Sequence, residues 1–110
     1  MINVEIFLDE KRIFRKITLN GHSNFSKKGQ DIVCAAVSIL FYSAYLSLIN
    51  IDGVEYNFND SGIEAYIEVI GYNEKITGHL IGVSIFLLSG LEALKEEYTE
   101  EIDINIIDFK

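Results

Sequence analysis

Cys34 is the chain's single cysteine, and it stands twelve residues after His22. Read without any family, the two suggest thiol acyl transfer. In that chemistry an imidazole takes the thiol proton and the sulfur attacks a carbonyl carbon. Cys34 falls in the first turn of an expected helix, where unpaired amides and the positive end of the helix dipole favour a thiolate. The same amides could stabilise the oxyanion that forms. Gly21 and Gly29 bracket the intervening loop and should leave it mobile, and Lys27 and Lys28 add charge that favours a thiolate. A plainer reading fits the same residues. A cysteine beside Ala35-Ala36-Val37 is ordinary core filler, and a histidine after glycine is an ordinary turn residue. Spacing alone leaves both open.

Three further residues bear on the site. Asp31 is expected as helix N-cap, with Gly29 a rival for that position. The functional alternative is that Asp31 orients His22, as the third member of a triad does. Ser38 lies one turn after Cys34 on the same helical face, placed either to bond toward the site or to back-bond to the Cys34 carbonyl. His79 opens the second apolar helix and reads first as a core or interface histidine, second as a reserve base. Phe7, Phe14, Tyr56, Phe58 and Tyr66 are expected opposite the inward aliphatics, or nearly so, lining a dimer surface or gripping substrate.

The elements that position these residues follow from periodicity. Residues 2–9 alternate, with Val4, Ile6 and Leu8 on one face, and Asp9-Glu10-Lys11 makes a turn. Residues 12–19 alternate again through Ile13, Ile17 and Leu19. A polar stretch from Asn20 to Gly29 precedes a helix over about 31–50. Residues 53–59 form a short strand, Asp60-Ser61-Gly62 a turn, and residues 63–70 a strand with Ile63, Ala65, Ile67 and Val69 inward. Asn73 or Thr77 starts a second helix that runs to about Tyr98. Ile102, Ile104 and Ile106 share the inward face of the last strand. The order β-β-α-β-β-α-β, with about five strands and two helices, gives an α+β two-layer sandwich as a single domain over residues 1–110.

The composition narrows the function. At 110 residues and 49% hydrophobic, the chain is one domain able to bury a core. A lone cysteine excludes an internal disulfide, and one Cys with two His cannot supply four zinc ligands, so no metal or cofactor is expected. Nine basic residues against seventeen acidic ones give a formal charge of −8, which argues against nucleic acid as partner and favours a basic or apolar one. The charge is uneven. Residues 1–28 carry six basic and three acidic groups, and residues 29–110 three basic and fourteen acidic. The start, MINVEIFLDEKR, lacks a basic segment before an apolar run and does not read as a signal peptide. Ile32–Ile49 and Ile76–Leu91 approach membrane-spanning length. Their serines, their acidic exits and the missing basic flanks instead suggest buried helices of a cytoplasmic domain with no membrane partner. Both helices are apolar on more than one face, so a two-layer monomer would leave apolar surface wet, and a homodimer is expected.

The segment GHSNFSKKGQDIVCAAVS, Gly21 to Ser38, resembles the signature of the bacterial ribosomal-processing cysteine protease family, Prp. That signature runs Gly-His-Ala, a short loop, then Gly-x-Asp-Ile-Val-Cys-Ala-Ala-Val-Ser. Here it is matched by Gly21, His22, Gly29, Asp31, Ile32, Val33, Cys34, Ala35, Ala36, Val37 and Ser38. Ser23 replaces the alanine often found after the histidine, and Ser26 occupies a second small position. The resemblance implies a cysteine endopeptidase with Cys34 as nucleophile and His22 as base. It implies homodimers with a mobile loop at about Gly21 to Gly29. It also implies a substrate: the precursor of large-subunit ribosomal protein twenty-seven, whose apolar N-terminal extension is removed after a phenylalanine, just before a basic stretch. The competing class is a non-catalytic acidic dimer that binds a basic ribosomal protein during ribosome assembly. A thiol-redox role lacks a resolving cysteine.

Overall fold

The computed structural model describes residues 1–21, 28–61 and 64–110, with the backbone alone described at 28–31. Two hairpin-helix units and a closing strand build the chain: β1 (Ile2–Leu8), β2 (Phe14–Asn20), α1 (Lys28–Ile49), β3 (Val54–Asp60), β4 (Glu64–Tyr72), a 3-10 turn (Glu74–Ile76), α2 (Thr77–Glu97) and β5 (Ile102–Asp108). The strands form one sheet in the order β3-β4-β2-β1-β5. Neighbours are antiparallel, save β5, which runs parallel to β1. This is the α+β two-layer arrangement expected from the sequence.

Period-two alternation places Ile2, Val4, Ile6 and Leu8 of β1 and Ala65, Ile67 and Val69 of β4 on the helix-facing side, all buried. Val33, Val37, Phe41, Ala44 and Leu48 form the stripe by which α1 packs on them, and Leu80, Ser84, Leu87 and Leu91 form that of α2. The helices cover different halves of the sheet. α1 meets edge strand β3, and α2 meets the opposite edge, β5.

The first hairpin departs from simple alternation. Leu8 pairs with Phe14 but Phe7 pairs with Lys16, so Arg15 is an extra residue in β2. The bulge turns Phe14 inward, and Ile13 and Phe14 are both fully buried. Phe14 is therefore core, not opposite-face. Arg15 closes the gap. Its Nε donates to the Val69 carbonyl (2.9 Å), its Nη2 donates to the Ile70 carbonyl (2.7 Å), and its guanidinium lies over Phe109. The Asp9 carboxylate accepts from the amides of Lys11 and Ile13 and so fixes the turn before it.

Other expectations also shift. Tyr56 and Phe58 pack against the core and thus face the helices, whereas Phe7 and Tyr66, alternating with buried residues, lie on the other face. Ile106 is exposed on edge strand β5, where it lines a shallow surface depression with Ile104 and with Glu92, Lys95 and Glu96 of α2, and only Ile102 of its inward row is fully buried. β3 takes in Asp60, and Gly62 and Ile63 lie outside the described residues. Asn73 caps the 3-10 turn, its side chain accepting from the Lys75 amide, and Thr77 begins α2, so each expected start has a part.

The helices are not fully buried. Ile32–Ile49 and Glu74–Glu97 are long and apolar enough to cross a membrane by length and composition. Each gives only one stripe to the core, and Ile32, Ile39, Leu46, Ile49, Ile85 and Phe86 remain exposed.

Candidate active site

α1 begins at Lys28, three residues before Asp31. Asp31 is thus a first-turn residue and not the N-cap, and Gly29 lies inside the helix and not in a loop. Cys34 is in the second turn. Its own amide is committed to the ladder, and the amides without an intrahelical partner belong to the turn before it. Side chains on a helix lean toward its N-terminus, so the Cys34 thiol covers that first turn without forming part of it. Any amide contribution to an oxyanion comes from the turn before the cysteine.

Cys34 is half-buried and packs against the core. The stripe of Val33, Val37, Phe41 and Ala44 divides α1 into two flanks. At 100° per residue, Cys34, Ser38, Tyr42 and Tyr45 fall on one, and Leu40, Ser43 and Ser47 on the other. The second flank faces α2 across a groove of about 430 Å³ that His79, Gly82 and Phe86 help to line. This groove is therefore separate from Cys34, and His79 is an exposed groove residue, neither core nor within reach of the thiol as a base.

The cysteine flank overhangs β3. Tyr45 stacks on Phe58 at 3.8 Å between ring centroids, with Tyr56, Phe41 and Tyr42 around them. Tyr42 donates its hydroxyl to the Asp60 carboxylate. That hydrogen bond, with burial and the negative charge of Asp60 adding to it, holds the phenol pKa above its ordinary value. Tyr45 meets Tyr56 and Phe58 while Tyr42 meets Phe58 and Asp60, so α1 runs antiparallel to β3. Cys34, two turns earlier, lies toward the Asp60 end of the sheet.

The chain leaves β2 at that same end. Asn20 pairs with Glu64, and Ala65 pairs with Asp60. Gly21 has φ +83°, and a Cβ there would stand 2.7 Å from the Met1 carbonyl oxygen. Only glycine fits this exit. The expected loop bracket thus has a firmer reason at Gly21, a positive φ against a backbone oxygen. His22, Ser23, Ser26 and Lys27 lie outside the described residues, as do the side chains of Lys28 and Asp31. Gly21, Cys34 and Ser38 are the expected site residues that the structure places near one end of the sheet.

Spacing signals Ser38 and Tyr42 at i+4 and i+8 from Cys34, but nothing local pairs Tyr42 with Asp60. Among the described residues no cluster of three or more His, Cys, Asp or Glu side chains could hold a metal ion.

Comparison with known proteins places this arrangement. The family described as "Cysteine protease Prp" matches residues 1–103. The ribosomal processing cysteine protease Prp of Staphylococcus aureus is 25% identical over 107 residues, covering 96% of this chain and 98% of the relative. That of Mycoplasma pneumoniae is 62% identical over a 29-residue stretch, 26% of this chain and 29% of the relative. Among solved structures, the S. aureus Prp with a covalently linked product peptide superposes with a TM-score of 0.78 at 25% identity, covering 96% of this chain and 99% of that one. A Streptococcus mutans protein superposes with a TM-score of 0.82 at 25% identity, covering 99% and 96%.

Proposed function

Because the chain belongs to the Prp family of cysteine proteases, whose relatives are ribosomal-processing enzymes, we propose that it removes the N-terminal extension of large-subunit ribosomal protein twenty-seven, cleaving after phenylalanine. The observation that carries this reading is the position of Cys34. It is half-buried on one flank of α1, packs against the core, and lies toward the end of the sheet at which β2 exits through Gly21 in the direction of His22.

In this mechanism His22 takes the Cys34 proton and the thiolate attacks the carbonyl carbon of the scissile bond. The tetrahedral oxyanion collapses to a thioester as the amine leaves with the proton from His22. Water, deprotonated by His22, then hydrolyses the thioester and frees the thiol. A covalently linked product peptide in the S. aureus relative accords with a covalent route. Ser38, next on the cysteine flank, supports the site by hydrogen bonding. Asp31, in the turn that the thiol covers, orients His22 or holds the helix start. Gly21 and Gly29 shape the segment between. The acidic surface suits a basic ribosomal substrate, in the cytoplasm where ribosomes assemble. The exposed apolar groove between α1 and α2 is the surface by which two copies form a homodimer.

Mass spectrometry of the precursor incubated with the protein tests this. Wild type should release the extension at a phenylalanine, and Cys34→Ala and His22→Ala should leave the precursor intact while keeping the native fold. Cleavage retained in Cys34→Ala overturns the proposal. Binding without cleavage by wild type would favour the non-catalytic alternative.

A further inference from the structure

β5 is the last strand of the sheet and pairs with β1 alone. Ile2 donates its amide to the Glu101 carbonyl (2.9 Å), and Phe109 donates its amide to the Leu8 carbonyl (2.8 Å). The register between them is unbroken, so the odd-numbered residues from Glu101 to Phe109 turn their N–H and C=O groups toward β1. Those of Ile102, Ile104, Ile106 and Asp108 point out from the sheet. Lys95 marks that direction. Its ammonium donates to the Ile102 carbonyl (2.6 Å) and to the Thr99 carbonyl (3.1 Å). A lysine so placed closes a sheet edge, but this one closes it only at Ile102. Among the described residues no group bonds the outward N–H and C=O of Ile104 and Ile106.

The side chains beside this opening select what enters. Ile104 and Ile106 line a depression of about 460 Å³ with Glu92, Lys95 and Glu96 of α2. Glu92 and Glu96 are exposed and stand one turn apart on α2. On the other face of β5 the Asp103 carboxylate accepts from the Asn105 side-chain amide (3.2 Å). From Glu92 to Lys110 the chain has seven acidic residues against two basic ones, and one of the two is the committed Lys95. A second copy of β5 would set these carboxylates against their own kind, which disfavours self-pairing. A strand with lysine or arginine at alternate positions meets both needs. Its methylene stems lie on Ile104 and Ile106, and its cationic ends reach Glu92 and Glu96.

We propose that the free edge of β5 binds an extended basic segment of a partner protein, which adds to the sheet as a sixth strand along Ile104–Asp108. The surface is separate from the chemistry at Cys34, because α1 packs over β3 at the opposite edge. It stands or falls apart from that chemistry.

The test titrates two labelled ten-residue peptides, one alternating lysine with valine and one alternating glutamate with valine, by fluorescence anisotropy at low salt. The proteins are wild type, Glu92→Lys/Glu96→Lys, Ile106→Pro and, as a control with the same change of net charge elsewhere, Glu55→Lys/Glu74→Lys. Ile106→Pro removes an outward N–H and spares the ladder to β1. Wild type should bind the lysine peptide at least about tenfold more tightly than the glutamate peptide. Glu92→Lys/Glu96→Lys should abolish that difference, and Ile106→Pro should weaken the lysine peptide by about fivefold. The control should lose less than about threefold. Bound lysine peptide should also slow hydrogen exchange at the amides of Ile104 and Ile106, and leave Asn105 and Ile107, already bonded to β1, unchanged. Equal binding of the two peptides, unprotected Ile104 and Ile106 amides, or an equal loss in the control overturns the proposal. Wild-type dimers that Ile106→Pro converts to monomers would put a second copy on the edge and overturn it too. If Ile106→Pro does not fold, the charge-reversal and exchange measurements decide.

Discussion

The hydroxyl of Ser84 accepts a hydrogen bond from the amide of Phe14 (3.0 Å) and donates one to the carbonyl of Leu80 (2.9 Å), all within the core. The bulge at Arg15 breaks the ladder beside Phe14, and a polar side chain from α2 supplies the missing partner. Ser84→Ala leaves that amide buried and unpaired, at a cost of about 1–3 kcal/mol. Urea unfolding should show a lower midpoint with an unchanged slope, and an unchanged midpoint would disprove the account.

Gly21→Ala should harm both fold and activity. The substitution places a Cβ against the Met1 carbonyl oxygen at a positive φ, a strain of about 1–3 kcal/mol. The chain relieves it by altering the exit of β2, the segment that leads to the proposed base His22. Cleavage should fall at least tenfold while circular dichroism shows the sheet retained. Wild-type cleavage by this variant would show that the exit geometry does not matter.

Phe86 is 70% exposed on α2 and lines the groove beside α1. If two copies meet there, Phe86→Glu buries a charge in their interface, and sedimentation should find monomers where wild type gives dimers. Wild-type assembly of this variant would move the interface elsewhere.

The pKa of Tyr42 is raised, first by its hydrogen bond to Asp60 and then by burial and that residue's charge. The folded state therefore holds the phenol proton more tightly than the unfolded chain does. The stabilisation is complete below the ordinary tyrosine pKa of about 10, and it is lost as pH rises through the higher folded value. The tyrosinate absorbance that disappears in Tyr42→Phe should titrate above about pH 10, and Asp60→Asn should move it down. No movement in Asp60→Asn would separate the two residues.

Much of this molecule is written locally. Val4-Ile6-Leu8 and Ala65-Ile67-Val69 alternate, so one face of each strand must be covered, and the order of strands and helices follows. The long motif from Gly21 to Ser38 discloses the protease family without any contact being known. The exposed apolar residues of both helices were also legible, since two flanks of each helix are apolar and one layer of sheet covers only one stripe.

What local pattern could not supply depends on partners distant in sequence. Whether Phe14 points in or out rests on Arg15 being an extra residue against β1, and neighbouring residues do not encode that register. The start of α1 at Lys28 moves Cys34 from the first turn to the second, a matter of which backbone groups find partners outside the helix. Propensity ranks helix residues but does not choose that boundary. The separation of Cys34 from the α1–α2 groove, and the meeting of Tyr42 with Asp60, required α1 to be laid antiparallel on β3. The sequence by itself determined the periodicities and the motif that marks the family. The tertiary structure decided which flank of α1 carries Cys34 and what lies along that flank, because packing of a helix on a sheet is a relation between surfaces and is absent from either segment alone.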